Sequence, residues 1–145
     1  MPVGRRQLIV HGSQLGLAAS VVGLAGCAGR MEVKAAPPAE NGIVRIPLAS
    51  HPGLEVPGAA VALDIEGLDD QVLLVHGPDG FSCVTRKCTH MGCKVEYDGA
   101  AGHIQCPCHG SQYENDGTNK KGPAKKPLTQ YTATLDGDAV AITIA

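Results

Sequence analysis

Two short stretches rich in cysteine and histidine constrain this chain more than any other feature of its sequence. CTHMGC covers residues 88–93, and CPCHGS covers residues 106–111. Each stretch holds a cysteine and a histidine at short spacing, together with one further cysteine. Thiol and imidazole groups are metal ligands, and two loops that meet can aim four such side chains at one centre. The two pairs are Cys88 with His90 and Cys106 with His109.

Two kinds of metal centre suit a set of two cysteines and two histidines. Zinc accepts this set, but Cys-x-His combined with Cys-x-x-His is an unusual spacing for a zinc site. An iron–sulfur centre that takes both cysteines on one iron and both histidines on the other fits the pattern better. From the residues alone, zinc stays open as the alternative.

The paired motifs resemble the signature of the Rieske iron–sulfur family. The stretch GPAKKPL, at 122–128, is similar to the proline-bearing loop that covers the cluster in that family. The resemblance spans roughly 42–145 and implies an all-β fold, a small antiparallel sandwich or barrel with a cluster-binding loop subdomain. It also implies one [2Fe–2S] cluster as cofactor. The ligands carried over by position are Cys88 and Cys106 on one iron and His90 and His109 on the other.

The same resemblance gives roles to the extra cysteines and to two polar residues. In the bc-type branch of the family, cysteines at the positions of Cys93 and Cys108 form a disulfide that ties the loops together. Such a bond suits an oxidising compartment. Ser111 and Tyr113 match positions that donate hydrogen bonds to a bridging sulfide and to a cysteine sulfur. Cys83, in the stretch FSCVTR, is interpreted instead as a small buried hydrophobe.

The N-terminus has the layout of a targeting segment. Arg5 and Arg6 precede a weakly apolar run, as in twin-arginine export signals. The run ends in LAGC, which resembles a lipoprotein processing box with the lipid on Cys27. The alternative is an uncleaved transmembrane anchor. In both cases we expect residues 1–27 to direct export and to leave the protein attached to the membrane on its periplasmic side.

The rest of the chain is predicted to be a linker over 28–41 and one domain over 42–145. The linker contains Pro37-Pro38 and lacks apolar periodicity. The domain contains four runs rich in Val, Ile and Leu that end at Gly, Pro or Asp, and its C-terminus indicates a hairpin around Asp136-Gly137. Aromatic residues make up only 3% of the chain, so aliphatic side chains must build the core. The four runs are GIVRIPL, AAVALDI, QVLLVHG and FSCVTR.

The expected function is the transfer of single electrons, as a redox subunit between a quinol or donor enzyme and a cytochrome-type acceptor. Within this function the resemblance leaves two versions open: the iron–sulfur subunit of a cytochrome bc-type quinol oxidoreductase, and the small subunit of a periplasmic oxidoreductase similar to that of arsenite oxidase. A ferredoxin component of an oxygenase is a further alternative. A zinc or disulfide module without redox activity is the third class. Nothing points to nucleic acid, because the net charge is −2.

A group of lysines surrounds the predicted covering loop. We interpret them as part of a solvated loop, with steering of an acidic partner as the alternative. They are Lys120, Lys121, Lys125 and Lys126.

Overall fold

The computed structural model describes residues 30–145, and almost all of its regular structure is β. The predicted export segment, with its arginine pair and Cys27, lies outside these residues. Within 30–145 the helical segments are two short 3₁₀ helices, Leu48–Ser50 and Pro52–Glu55. This part of the chain contains no helix of the length and apolarity that a membrane crossing requires.

The strands form two sheets. Seven strands make a larger sheet in the order β1-β3-β4-β5-β10-β11-β2, and four make a smaller sheet in the order β6-β7-β8-β9. The prediction of an all-β fold is therefore confirmed. In chain order the strands are β1 (Val33–Ala35), β2 (Ile43–Pro47), β3 (Ala59–Asp64), β4 (Val72–Gly77), β5 (Gly80–Thr85), β6 (Glu96–Asp98), β7 (His103–Gln105), β8 (Gln112–Tyr113), β9 (Asn119–Lys121), β10 (Gln130–Asp136) and β11 (Ala139–Thr143).

The aliphatic runs of the sequence become the strands of the larger sheet. The turn between β4 and β5 is closed by the Gly77–Gly80 pair, with Pro78 and Asp79 at its tip. The β10–β11 hairpin turns at Gly137, whose φ of 64° is a conformation that glycine adopts without strain. Both turns bring neighbouring strands into antiparallel register, as the sequence predicted.

The structure differs from the predicted linker over 28–41. Strand β1 lies within that stretch and pairs in parallel with β3, Val33 opposite Ala62. The amide of Ala36 continues the ladder by donating to the carbonyl of Asp64 at 2.9 Å. All three residues of β1 are exposed, so the strand carries no alternation of apolar and polar side chains that could have indicated it.

Two apolar cores lie on opposite faces of strands β4 and β5. Along β4, Val72 and Leu74 belong to one core, whereas Leu73 and Val75 belong to the other. A strand that is buried on both faces has a nearly continuous apolar sequence, and VLLV is such a run. The second core also contains Cys88, Cys106 and Tyr113, so the larger sheet directly supports the cysteine-bearing loops. It is completed by Val84, Val95, Ile104, Ala124 and Leu128.

Candidate metal centre

The two cysteine–histidine stretches fold into loops with the same backbone closure. In loop 1 (88–93) the amide of Cys88 donates to the carbonyl of residue 93, and the amide of Gly92 donates back to the carbonyl of Cys88, both at 2.8 Å. In loop 2 (106–111) Cys106 and Gly110 repeat these bonds at 2.7 and 3.0 Å. Both glycines have positive φ, 77° and 76°, as the tight reversal requires. Backbone hydrogen bonds therefore fix the shape of each loop by joining its two ends.

A disulfide between Cys93 and Cys108 joins loop 1 to loop 2. It links the two cysteines that the family resemblance paired. The sulfurs of these residues and of Cys106 lie within 4.8 Å of one another, but this group is not a ligand set, because two of its three sulfurs are committed to the disulfide. The bond instead holds the loops face to face.

The remaining loop cysteines and histidines converge from the two sides. Cys88 and Cys106 are free thiols, each with 2% of its surface exposed. His90 and His109 are exposed, and their rings stand edge to face with centroids 4.8 Å apart. The thiols therefore lie on the inner side of the loops and the imidazoles on the solvent side.

The environment of the two thiols differs. Burial raises the pKa of Cys88, but hydrogen bonds from the hydroxyl of Tyr113, the amides of His90 and Met91 and the thiol of Cys106 outweigh it, so the net pKa is lowered. Burial raises the pKa of Cys106, and the neighbouring Cys88 adds to this increase. Cys88 therefore loses its thiol proton more readily than Cys106, because hydrogen-bond donors surround its sulfur.

The two polar residues singled out in the sequence line the inner side of the loops, and both are fully buried. The hydroxyl of Tyr113 is 3.2 Å from the sulfur of Cys88 and 3.1 Å from the hydroxyl of Thr89. The hydroxyl of Ser111 accepts a hydrogen bond from the amide of Ala124 at 3.0 Å. Its own proton remains available for donation, because the hydroxyl acts as acceptor in this contact.

The stretch 122–128 packs against both loops, as the resemblance implied for a covering loop. Thr89 donates from its hydroxyl to the carbonyl of Lys126 at 2.7 Å on the loop 1 side. Ala124 and its bond to Ser111 make the corresponding contact on the loop 2 side. Thr89 was not singled out in the sequence, although its position between Cys88 and His90 is a signal that could have found it.

Two charged groups at the base of loop 1 were also missed. Arg86 is 3% exposed and donates to the carbonyl of Val95 at 3.1 Å and to the carboxylate of Glu96 at 2.6 Å. Asp70 pairs with Lys87 at 3.1 Å and with Lys94 at 3.4 Å, the two residues that flank the loop. Arg86 and Asp70 each contact residues at least nine positions away in the sequence, so no local motif indicates these contacts.

Cys83 lies in β5, has 1% of its surface exposed and belongs to the core on the opposite face of the sheet from Cys88. Burial raises its pKa to about 12. His76, another residue outside the loops, stacks on Phe81 with ring centroids 4.2 Å apart. Its Nδ1 lies 2.8 Å from the carbonyl of Leu54. Both residues therefore have a structural environment, which for Cys83 agrees with its interpretation as a small buried hydrophobe.

The residues present fit a [2Fe–2S] group. Two buried free thiols, two imidazoles in contact and a phenol beside one sulfur supply the two-cysteine, two-histidine donor set with a hydrogen bond to the sulfur side. The donor chemistry therefore favours the iron–sulfur alternative.

Comparison with known families identifies the domain. The family model described as the Rieske [2Fe-2S] domain matches residues 49–132, more than half of the chain. Among curated proteins, the cytochrome b6-f complex iron-sulfur subunit of Chlorobaculum tepidum is 36% identical over 109 residues, which cover 75% of this chain and 60% of that protein. The subunit of the same name from Gloeobacter violaceus is 36% identical over 96 residues, covering 65% and 50%. The chain thus spans about half the length of the curated relatives it matches.

Solved structures show the same fold. A plasma membrane Rieske protein from the cyanobacterium Synechocystis PCC 6803 matches with a TM-score of 0.57 at 28% identity, covering 69% of this chain and 98% of that one. The ferredoxin of carbazole 1,9a-dioxygenase from Nocardioides aromaticivorans matches with a TM-score of 0.58 at 22% identity, covering 72% and 100%. At that identity the ferredoxin match bears on the fold alone.

Proposed function

The chain belongs to the Rieske [2Fe-2S] domain family, whose single [2Fe–2S] cluster is its cofactor, and from this premise we propose that it transfers single electrons as a redox subunit. We assign Cys88 and Cys106 to one iron and His90 and His109 to the other. The observation that carries this assignment is the convergence of two buried free thiols and two exposed imidazoles from two disulfide-linked loops.

The donor set determines the net charge of the centre. Two thiolates and two neutral imidazoles balance two ferric ions and two sulfides, so the oxidised centre is formally neutral. When bound, the cluster accepts one electron, and a neutral acceptor is reduced more readily than the dianionic one that four thiolates would give. The class accordingly covers about −150 to +300 mV. Tyr113 and Ser111 favour the upper part of that range, because donors beside sulfur stabilise added negative charge.

The ligand assignment is tested on the full chain, purified without oxygen. We expect two irons and two sulfides per chain and an EPR signal after reduction with dithionite. Replacing Cys88 by Ser or His90 by Gln should abolish the signal. Matched controls are Cys83→Ala and His103→Gln, which alter the same residue types outside the loops and should retain it. Loss of the signal in a control, or its retention in Cys88→Ser, would contradict the assignment.

The complex to which the protein belongs is a second part of the proposal. Matches to cytochrome b6-f complex iron-sulfur subunits over 109 and 96 residues support membership of a cytochrome bc-type complex. A ferredoxin role receives support from fold alone. Affinity purification from native membranes in mild detergent should co-isolate a b-type haem protein. Isolation with an oxygenase component instead would favour the ferredoxin role.

We further propose that the protein is exported and held at the membrane through its N-terminus. The supporting features are Arg5-Arg6, the apolar run and the LAGC motif that ends at Cys27. Mass spectrometry of the mature protein should find a chain that begins at a lipidated Cys27. Cys27→Ser should move the protein from the detergent phase to the aqueous phase on Triton X-114 partition. A mature chain that keeps residues 1–26 would instead indicate an uncleaved anchor.

A further inference from the structure

Charge is distributed unevenly between the two parts of the described chain. The cluster subdomain, defined as residues 86–128 between β5 and β10, carries seven basic and four acidic residues, a formal charge of +3. The other described residues, 30–85 and 129–145, carry three basic and ten acidic residues, a formal charge of −7. A protein with a net charge of −2 therefore presents a positive end where its two metal-binding loops lie.

Half of the lysines in the cluster subdomain take part in ion pairs. Lys87 and Lys94 share Asp70, and Lys120 pairs with Glu114 at 3.2 Å. The pair on Asp70 borders an open cleft beside His90, which Asp69 also lines. Three lysines thus share two carboxylates, so these pairs leave a formal charge of +1, and the exposed Asp69 lies in the same cleft.

The other three lysines have no such partner. Lys121, Lys125 and Lys126 are exposed and form no ion pair with any carboxylate of residues 30–145. Residues 1–29 contain no Asp or Glu that could supply one. Clustered like charges destabilise the folded chain slightly, so folding gives no reason for their grouping. We name these three residues the lysine patch.

The lysine patch is connected to both loops through the backbone. The carbonyl of Lys126 accepts the hydrogen bond from Thr89, the residue before His90. Lys125 follows Ala124, whose amide is bonded to Ser111 at the end of loop 2. Lys121 lies opposite Gln112, the residue after Ser111, in the β8–β9 ladder. The three lysines therefore belong to backbone segments that are bonded to, or paired next to, the loops that carry the exposed imidazoles.

We propose that the lysine patch is a docking surface for an acidic electron-partner protein. The inference rests on the proposed function and adds the chemistry of the partner to it. The carboxylates of the partner pair with the three lysines, and the exposed Met91, His90 and His109 form the centre of the contact. One electron passes between the two proteins, one centre being oxidised and the other reduced, and no bond forms or breaks. An acidic protein is favoured over an anionic membrane because the same end must admit a redox centre.

Binding is tested on the full chain with a decaglutamate peptide, by amide shift titration at low salt. We expect shifts in loop 1, loop 2 and 119–126, with an affinity that falls steeply as salt is added. The variant K125Q/K126Q should weaken binding about threefold or more. The control K34Q/R45Q makes the same change in net charge in the other part of the protein and should leave the affinity unchanged. Equal losses in both variants, or equally strong binding to phosphatidylglycerol vesicles, would overturn the proposal.

A kinetic experiment distinguishes the effect of the lysine patch from the effect of the net charge of the protein, because the two predict opposite salt dependences. The reduced full chain is mixed with ferricyanide, an anion, or with tris(phenanthroline)cobalt(III), a cation. Net charge alone predicts that ferricyanide is repelled, so that its rate rises with added salt. The lysine patch predicts the opposite, a ferricyanide rate that falls with salt and falls about threefold in K125Q/K126Q. If electrons transfer but the ferricyanide rate rises with salt, the docking surface is wrong while the proposed function stands.

Discussion

At the scale of single residues, Tyr113 has one proton and two neighbouring acceptors. Because Thr89 donates its own proton to the carbonyl of Lys126, only the phenol can donate in the 3.1 Å contact between Tyr113 and Thr89. The sulfur of Cys88, at 3.2 Å, competes for the same proton. Negative charge on the sulfur draws the proton toward it, since charge-assisted hydrogen bonds are the stronger ones.

The midpoint potential of the cluster should depend on the hydrogen bond from Tyr113 to the sulfur of Cys88. Tyr113→Phe removes the donor to Cys88, and Ser111→Ala removes the hydroxyl beside Ala124. Each change should lower the midpoint potential by about 40 mV, if a net hydrogen bond of about 1 kcal/mol is lost from the reduced form. Redox titration followed by EPR measures the shift. Tyr97→Phe, in β6, is the matched control, and an equal shift there would show that the effect is not specific to the sulfur.

Cys83 should make stability depend on pH under alkaline conditions. In the unfolded chain its thiol has the ordinary pKa of 9.0, whereas burial raises the folded value to about 12. Above pH 9 the unfolded state therefore binds fewer protons than the folded state, and stability falls. The wild type should lose up to about 1.4 kcal/mol per pH unit more than Cys83→Ala between pH 9 and 12. Urea unfolding of the two proteins at matched pH measures this, and parallel curves would contradict it.

At the scale of elements, the longer strands of the larger sheet were accessible from sequence, whereas β1 and the strands of the smaller sheet were not. VLLVHG and the β10–β11 hairpin carry dense aliphatic runs and clear turn residues. Strands β6 to β9 have only two or three residues each, so no periodicity can develop in them. They exist because the loops they connect are fixed by the disulfide and by contacts distant in sequence, such as Thr89 with Lys126.

The ion pair between Arg86 and Glu96 connects three segments of the chain. Arg86 follows β5, Glu96 begins β6, and the other carboxylate oxygen of Glu96 accepts a hydrogen bond from the amide of Met31, two residues before β1, at 3.1 Å. Glu96→Gln leaves a buried guanidinium without its counter-charge and should cost about 3 kcal/mol in free energy of unfolding. The control Glu114→Gln breaks an exposed pair with Lys120 and should cost less than about 1 kcal/mol. Denaturation of both variants compares them, and equal costs would show that burial does not matter.

At the scale of the whole molecule, the folded unit begins earlier than the sequence predicted. Met31 packs against the second core and β1 extends the larger sheet. Ala36→Pro deletes the amide that donates to Asp64, so the amides of β1 should exchange hydrogen faster while global stability falls by about 1 kcal/mol or less. Ala39→Pro, outside the strand, is the control. Unchanged hydrogen exchange in β1 would show that the pairing of β1 with β3 does not depend on the bond from Ala36 to Asp64.

The identity of the site was more accessible from sequence than its surroundings. Cys88, His90, Cys106 and His109 lie in two compact motifs, so their types and spacing indicate the donor set. The lysine patch was interpreted from sequence as a solvated loop. Only the structure shows which lysines are paired and that the backbone of the patch is bonded to loop 1, because contacts such as Lys87 with Asp70 and Thr89 with Lys126 join residues distant in sequence.

If the protein is anchored at Cys27, the pairing of β1 with β3 limits how far the domain can move from the membrane surface. A free linker over 28–41 would let the domain move up to about 50 Å from an anchor at Cys27, at about 3.5 Å per residue. With the chain held by the contacts of Met31, four residue steps separate it from Cys27, or about 14 Å. A lipid-anchored protein of this kind would pivot close to the bilayer surface without ranging above it. Its electron partner would therefore have to bring its own redox centre within that short radius.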